Sequence, residues 1–423
     1  MKAAYYTLGC KVNQYDTEAM RRLMEEAGYE TVSFDEAADV YIVNTCTVTA
    51  VADKKSRQMI RRAAHKNPNA AVIVCGCLAQ SEAEAVMEIE GVSAAVGNQD
   101  RGRIVEIVAA AKEGKQNAVH DISQQTEFER LSITSSEEKT RAHIKICEGC
   151  NNFCSYCIIP YARGRVRSRN IDDIAREARD LAESGVREVV LTGIHICSYG
   201  IDLQDGELID VIERVAKTEG IDRVRLGSLE PSRITRTFCE RAAKIPELCE
   251  HFHVSLQSGS AGVLKRMNRK YTPEQYAECV RNLREYFRKP AITTDVIAGF
   301  PQETEEEHKE TLEFLSSIGF AKIHVFPYSA RKGTPAAKLP QIPNAEKKRR
   351  ASEIAELADK MEKEYLESFV GEEVSVLLEE QDGAMYEGHA RRYMRVRAEG
   401  TQNEIVNVLV QRVEGTVLCT DGV

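Results

Sequence analysis

No apolar run in the 423 residues approaches the length of a membrane span. The chain enters on Lys2-Ala3-Ala4-Tyr5-Tyr6, without a charged leader followed by an apolar core. These two absences predict no membrane span and no signal peptide. There is no low-complexity tract, and no internal repeat beyond an alternation of strand and helix patterns. A basic balance is missing too: 57 Lys and Arg stand against 66 Asp and Glu, a formal charge of −9. That excludes a generally basic nucleic-acid binder while leaving room for local basic patches. Cysteine, by contrast, is plentiful. Thirteen of them without a secretory signal argue for a reducing, cytoplasmic setting and for metal ligation over disulfides. The length of 423 residues suggests two or three domains, and hydrophobic residues make up 43%, enough for substantial cores.

The first 120 residues alternate strands and helices. Lys2–Leu8, Asp39–Asn44 and Ala71–Cys75 are short apolar runs suited to buried parallel strands, and Asn13–Ala27 and Thr49–Lys66 have helical periodicity with charged outer faces. This order predicts a doubly wound parallel sheet. Residues 121–141, rich in Ser, Thr, Glu and Gln, read as a linker. From 142 to 369 a second alternation places strands at His143–Ile146, Arg187–Leu191, Arg223–Gly227, His251–Leu256, Ala291–Ala298 and Ala321–Pro327. Asn170, and Thr272-Pro273-Glu274-Gln275, mark helix starts. Six such units fit an open partial (β/α)6 barrel better than a closed eightfold one, and a long charged helix over Asn344–Ser368 closes the region. From 370 to 423 the pattern changes to short strands at Val374–Leu378, Ala390–Val396, Ile405–Val410 and Thr416–Cys419, which predicts a small β-barrel.

Cys150, Cys154 and Cys157 lie in one short loop with C-x3-C-x2-C spacing. A four-iron cube is normally closed by four thiolates, so three leave one iron open to bind a reactant. A zinc knuckle would bring a second Cys pair or a Cys/His pair, and none lies nearby; buried structural thiols are the remaining plain reading. The spacing resembles that of the radical S-adenosylmethionine (SAM) enzymes. Four further cysteines lie near the N-terminus. Cys10, Cys46 and Cys77 each follow a predicted strand, and the carboxyl ends of parallel strands share one edge, where ligand sites form. Cys75 lies inside its strand run and reads as packing. Against a second open-sided cluster site stands the reading that all four are small buried apolar residues. The six remaining cysteines share no spacing; of these Cys147, three residues before Cys150, could substitute as a ligand in a damaged site.

Thr7-Leu8-Gly9-Cys10-Lys11-Val12-Asn13, Asn44-Thr45-Cys46 and Gly76-Cys77-Leu78-Ala79-Gln80 resemble the three N-terminal cluster motifs of the methylthiotransferases. Glu148-Gly149-Cys150 through Cys157, with Ile158-Ile159-Pro160-Tyr161-Ala162-Arg163-Gly164-Arg165, is similar to that family's radical SAM loop. The C-terminal barrel resembles its RNA-binding TRAM domain. Gly-Cys-Lys-Val-Asn and Leu191-Thr192-Gly193-Ile194-His195 most resemble the branch acting on N6-threonylcarbamoyladenosine at tRNA position 37. The resemblance implies two [4Fe-4S] clusters, one on Cys150, Cys154 and Cys157 and one on Cys10, Cys46 and Cys77, with SAM as co-substrate. It further implies that a SAM-derived 5′-deoxyadenosyl radical takes hydrogen from C2 of the modified adenine, which then receives a methylthio group. A reductase or flavodoxin-type electron donor and a sulfur donor are implied partners. Methylthiolation of isopentenyladenosine or of a ribosomal-protein aspartate, and a non-catalytic iron–sulfur RNA-binding protein, are the competing readings.

Candidate SAM contacts follow the barrel strands: Thr192 and Gly193, Ser228 and Glu230, Gln257, Asp295, and Ile297 through Pro301. Glycine at 193 would let backbone approach the methionyl group, and Glu230 or Asp295 could accept from ribose hydroxyls; their plain alternative is helix capping. Three basic clusters stand out: Lys54 to Arg62, Arg163 to Arg169, and Arg391 to Arg397. The first reads as a solvated face. Arg163 and Arg165 follow the cluster loop, suited to a phosphate or to the substrate's carboxylate. Arg391, Arg392, Arg395 and Arg397 are expected along one strand, suited to RNA backbone contact with stacking by Tyr393.

Overall fold

A computed structural model describes residues 1–135, 140–204 and 206–420. The N-terminal unit contains β1 (Lys2–Thr7), α1 (Lys11–Glu26), β2 (Glu30–Val32), β3 (Val40–Thr45), α2 (Ala50–Lys66), β4 (Ala71–Gly76), α3 (Cys77–Ser81), α4 (Ala83–Met87), β5 (Val92–Val96), α5 (Ile104–Glu113) and β6 (Gln116–Ala118). All its strand pairings are parallel, in the order β2-β1-β3-β4-β5-β6. Strands β3 and β4 are buried at every position, as central strands covered on both faces must be. Met20 and Met24 of α1 pack with Ile104 and Val108 of α5 on one face, and Met59 and Ile60 of α2 with Leu78 and Val86 on the other. The sequence pattern does not reveal β2, β5 and β6. Two of these are three-residue edge or near-edge strands with polar residues, and Ser93 breaks the run of the third.

The central unit comprises β7 (Arg141–Glu148), α6 (Ile159–Arg163), β8 (Arg167–Ser168), β9 (Glu188–Gly193), β10 (Arg223–Leu226), β11 (His251–His253), β12 (Ala291–Ala298) and β13 (Lys322–Pro327), with helices between. Strands β7, β9 and β10 pair in parallel, as do β11, β12 and β13, and the bridges Val224↔Leu248 and Leu229↔Val254 join the two halves. The result is an open arc of six parallel strands, with two-residue β8 antiparallel to β7. On β7, Ala142, Ile144 and Ile146 pack outward against Ile174, Ala178 and Leu181 of helix Ile171–Glu183. Arg141, His143 and Lys145 therefore face inward. Both expected helix starts carry side-chain caps. Asn170 accepts from the Asp172 N–H at 2.8 Å, and Thr272 and Gln275 form a reciprocal capping box with Pro273 at the first helical position.

Within the stretch 121–141, of which 136–139 lie outside the described residues, Leu131 and Ile133 are buried in the barrel core and Glu129 bonds to Arg101. Arg141 already belongs to β7.

The C-terminal unit holds β14 (Glu373–Asp382), β15 (Met385–Ala390), β16 (Arg395–Ala398), β17 (Ile405–Leu409), β18 (Arg412–Glu414) and β19 (Val417–Cys419), ordered β17-β14-β15-β16-β19-β18. All pairings are antiparallel except β16 with β19. The expected strand Ala390–Val396 is instead broken by a turn over 391–394 that joins the end of β15 to the start of β16. Tyr393 has φ +64°, and its N–H donates to Ala390 while Ala390 N–H donates to the Met394 carbonyl. That turn docks the unit on the barrel. Arg391 donates to the Pro246 and Leu248 carbonyls at 2.7 and 2.6 Å, and Arg392 to Lys289 and Arg288 at 3.0 and 2.8 Å. The Tyr393 ring stacks between His251 and His389, with the Arg225 guanidinium 4.7 Å from its centroid. Replacing Arg391 by alanine is expected to weaken docking by about 1–3 kcal/mol, read as faster protease cleavage at the Phe369–Glu372 junction with the barrel left intact. Among the described residues, no helix is long and apolar enough to cross a membrane.

Candidate active site

Strands β1, β3 and β4 are neighbours, and Cys10, Cys46 and Cys77 sit just beyond their carboxyl ends. Gly9 makes the approach possible: its φ is +105°, and a Cβ there would lie 2.8 Å from that of Cys46. Burial raises the Cys46 thiol to about 11, and the three sulfurs act on one another electrostatically. Cys77 Sγ accepts from Asn98 Nδ2 at 3.7 Å and from Arg163 Nε at 3.4 Å. Cys75 remains in the sheet core, fully buried.

The second thiol set follows β7. The Cys150 N–H donates to the Gly164 carbonyl at 3.0 Å and Cys157 N–H to Cys154 at 3.0 Å, while Ser155 bonds to Met267 and Arg266, so the loop is fixed before any ligand binds. Burial pushes the Cys150 thiol to about 11 and Cys157 to about 12. Arg269 Nη1 reaches Cys154 Sγ at 3.3 Å. Cys147 is buried in the barrel core instead.

Around this loop, Glu230 Oε2 accepts from Asn152 Nδ2 at 2.9 Å and bonds to His195 Nε2 at 2.5 Å, while His195 Nδ1 meets Ser198 Oγ at 2.6 Å. Burial opposes ionisation of Glu230, but His195 and Asn152, helped by Arg269, bring it down to about 2. Thr192 and Gly193 end β9, and Gln257, at φ +71°, bridges to Val296 beside the strand ends. The glycine at 193 is required by the protein itself: a Cβ would stand 2.6 Å from Cys147 Sγ. Ser228 and Asp295 lie in the wall of a cavity inside the barrel, and Asp295 Oδ2 is 3.3 Å from His253 Nε2. His195, Asn152 and Arg269 carry no separate sequence signal. His195 and Asn152 sit inside motifs whose cysteines and glycine draw the eye, and Arg269 follows an unremarkable helix.

A buried charge cluster joins the two sites. Arg101, Lys145 and Arg163 meet Asp16, Glu129 and Glu148, with Arg163 Nη1 2.8 Å from Glu148 and 3.5 Å from Asp16, and Arg163 also donating to Asn13 Oδ1. Burial alone would raise the Glu148 carboxyl, but Arg163, Lys145 and Arg101 hold it well below the usual carboxylate range. Asn98 Nδ2 donates to the Ala162 carbonyl at 2.7 Å, seating the N-terminal strand edge on α6.

The basic residues divide accordingly. Arg163 is fully buried and spent on Glu148, Asn13 and Cys77, so it is no surface contact for RNA. Arg391 and Arg392 are held by barrel carbonyls in a turn, not displayed along a strand. Arg165 is exposed, its guanidinium 4.5 Å from the Phe153 ring centroid. Arg395 pairs with Glu387, and Arg397 with Asp382 at 2.9 Å, at the surface of the sheet.

Among the described residues, no three Cys, His, Asp or Glu side chains already form a single-ion site. The donor chemistry fits an iron–sulfur group at each place: three thiols just beyond strand ends, cationic or amide donors aimed at sulfur, and adjacent carboxylates paired elsewhere. Protonated thiols must ionise to ligate, so loading releases protons.

Residues 2–97 match the model of "Uncharacterized protein family UPF0004" and residues 144–315 that of the Radical SAM superfamily. The Threonylcarbamoyladenosine tRNA methylthiotransferase MtaB of Bacillus subtilis (strain 168) is 42% identical over 419 residues, covering 97% of this chain and 93% of that one. Its namesake in Aquifex aeolicus (strain VF5) is 38% identical over 97% of this chain and 100% of that one. A tRNA-2-methylthio-N(6)-dimethylallyladenosine synthase of Acetivibrio thermocellus is 34% identical, covering 96% and 88%. The solved radical S-adenosylmethionine methyltransferase TsrM from Kitasatospora setae shares the fold, with TM-score 0.58 and 16% identity over 79% of this chain and 74% of that one. With relatives above 30% identity along nearly its whole length, the chain belongs to the radical SAM methylthiotransferase family, enzymes that use SAM and a [4Fe-4S] cluster.

Proposed function

We propose that this protein transfers a methylthio group to C2 of N6-threonylcarbamoyladenosine at position 37 in the anticodon loop of tRNA. The observation that carries the reading is a pair of three-thiol sets, each at the carboxyl edge of a parallel sheet, with buried Arg163 donating to Cys77 of one set and pairing with Glu148, two residues before Cys150 of the other. When bound, the [4Fe-4S] group and SAM supply a radical able to take hydrogen from an unactivated aromatic carbon, and a second [4Fe-4S] group would hold the sulfur, with SAM as the source of its methyl.

The chain's own part is placement. Cys150, Cys154 and Cys157 hold the first group, and Cys10, Cys46 and Cys77 the second. Asn152, Glu230 and His195 clamp the loop beside the SAM site, which Thr192, Gly193 and Gln257 line. Arg165 over Phe153 offers a guanidinium and a ring face to RNA at the mouth. Residues 370–423 act as a TRAM-like RNA-binding domain through Arg395 and Arg397, while 1–120 and 142–369 form the other two domains. A reductase or flavodoxin-type donor and a sulfur donor complete the system in the cytoplasm.

The deciding experiment is nucleoside mass spectrometry of total tRNA from cells with and without this protein. Loss of the methylthio group from threonylcarbamoyladenosine alone is expected. Loss from isopentenyladenosine instead would move the substrate and keep the chemistry, and loss from neither would refute tRNA as substrate.

A further inference from the structure

A closed eightfold barrel fills its interior with branched apolar side chains. Here a cavity of about 560 Å³ opens inside the arc, and the inward positions include His143 on β7, His253 on β11, Asp295 on β12 and His324 on β13. It extends from Lys11, next to Cys10, to Gly227 and Ser228, just before Glu230. The cavity therefore reaches the residue that follows Cys10.

Most charges in its wall are already paired. Arg141 and Arg225 bond to Glu188, Lys322 to Glu362 at 3.0 Å, Arg395 to Glu387, and Asp295 to His253. Lys11 differs: it is exposed, and no hydrogen bond or ion pair engages its ammonium among the described residues. Burial, with the nearby charges of Lys11 and Arg141, lowers the His143 pKa to about 3 and keeps its ring neutral. A neutral imidazole still offers one N–H donor.

We propose that Lys11, with His143 beside it, binds the carboxylate of the threonylcarbamoyl side chain and so selects an acidic N6 substituent over an apolar one. The inference rests on the substrate reading above. C2 and C6 of adenine both flank N1, so a side chain on N6 reaches round toward the C2 edge. A base presented to sulfur near Cys10 thus brings that side chain to the residue after Cys10. The ammonium gains a charge-assisted bond with the carboxylate. An isopentenyl group would leave Lys11 without a partner and cost it hydration.

The test uses reconstituted holoprotein and anticodon stem-loops bearing threonylcarbamoyladenosine or its methyl ester. The native protein is expected to bind the acid on the order of 10-fold more tightly than the ester. Lys11→Met should bring the two to equal affinity, and Lys11→Arg should keep part of the preference. Iron content is measured for each variant because Lys11 adjoins Cys10. If Lys11→Met loses iron, His143→Leu carries the test and should reduce the preference at least about threefold. An unchanged preference in an iron-replete Lys11→Met protein overturns the proposal. If the native enzyme methylthiolates the acid yet binds acid and ester equally, the carboxylate site is wrong and the substrate reading stands. If it does not methylthiolate the acid at all, both fall.

Discussion

Alanine at Cys150, Cys154 and Cys157 together is expected to abolish 5′-deoxyadenosine release and tRNA methylthiolation alike. Alanine at Cys10, Cys46 and Cys77 should leave 5′-deoxyadenosine release running and abolish methylthiolation alone. The asymmetry follows from the fold. The first set rides on the loop after β7, beside the Asn152–Glu230–His195 clamp, and the second on three strand ends of a different sheet. Each sheet has its own core, so removing three thiols from one edge leaves the other edge's backbone in place. Iron analysis should fall by one cluster's worth in either triple variant. Burial keeps Cys46, Cys150 and Cys157 protonated near neutral pH without iron, so they have little nucleophilic life of their own. Methylthiolation that survived loss of Cys10, Cys46 and Cys77 would remove the second cluster from the reaction.

The strand ends that carry Cys46 and Cys77 were legible because their strands are continuous apolar runs buried on both faces, a pattern that points to parallel central strands. Lengths and edges were harder. Strands β2 and β6 earn their place by pairing with a neighbour, which no local residue pattern records. The stretch Ala390–Val396 has the alternation of a strand, yet Tyr393 adopts a left-handed conformation because its ring is gripped between His251, His389 and Arg225. Those partners lie in the barrel or across the hairpin, out of reach of any local reading. The arginines show the same limit. Charge in a sequence suggests surface, and Arg165 obeys, whereas Arg163, two residues earlier, is fully buried because Asp16, Glu148 and Asn13 arrive from elsewhere to surround it.

Arg163 should consequently be among the least replaceable residues outside the thiols. Arg163→Met is expected to destabilise the protein by about 3–5 kcal/mol, because removing one partner of a buried ion cluster leaves the others charged and desolvated. Arg101 and Lys145 would remain against Asp16, Glu129 and Glu148, an excess of negative charge where water cannot follow. Arg163→Lys should recover only part of the loss, since one ammonium cannot span Asn13, Glu148 and Cys77 as a planar guanidinium does. Chemical unfolding gives the magnitude. Hydrogen exchange should locate it, with protection lost first at the start of α1 and across α6, where the two units meet. The native cluster also sets an acid limit. Glu148 is held below its unfolded value of 4.5, so the stability it lends is complete above that pH and drains away as pH falls toward its folded value. An Arg163→Met protein as stable as the native one, with unchanged exchange at both elements, would mean that the two units are held together by their apolar contacts and that the ion cluster only fills the seam.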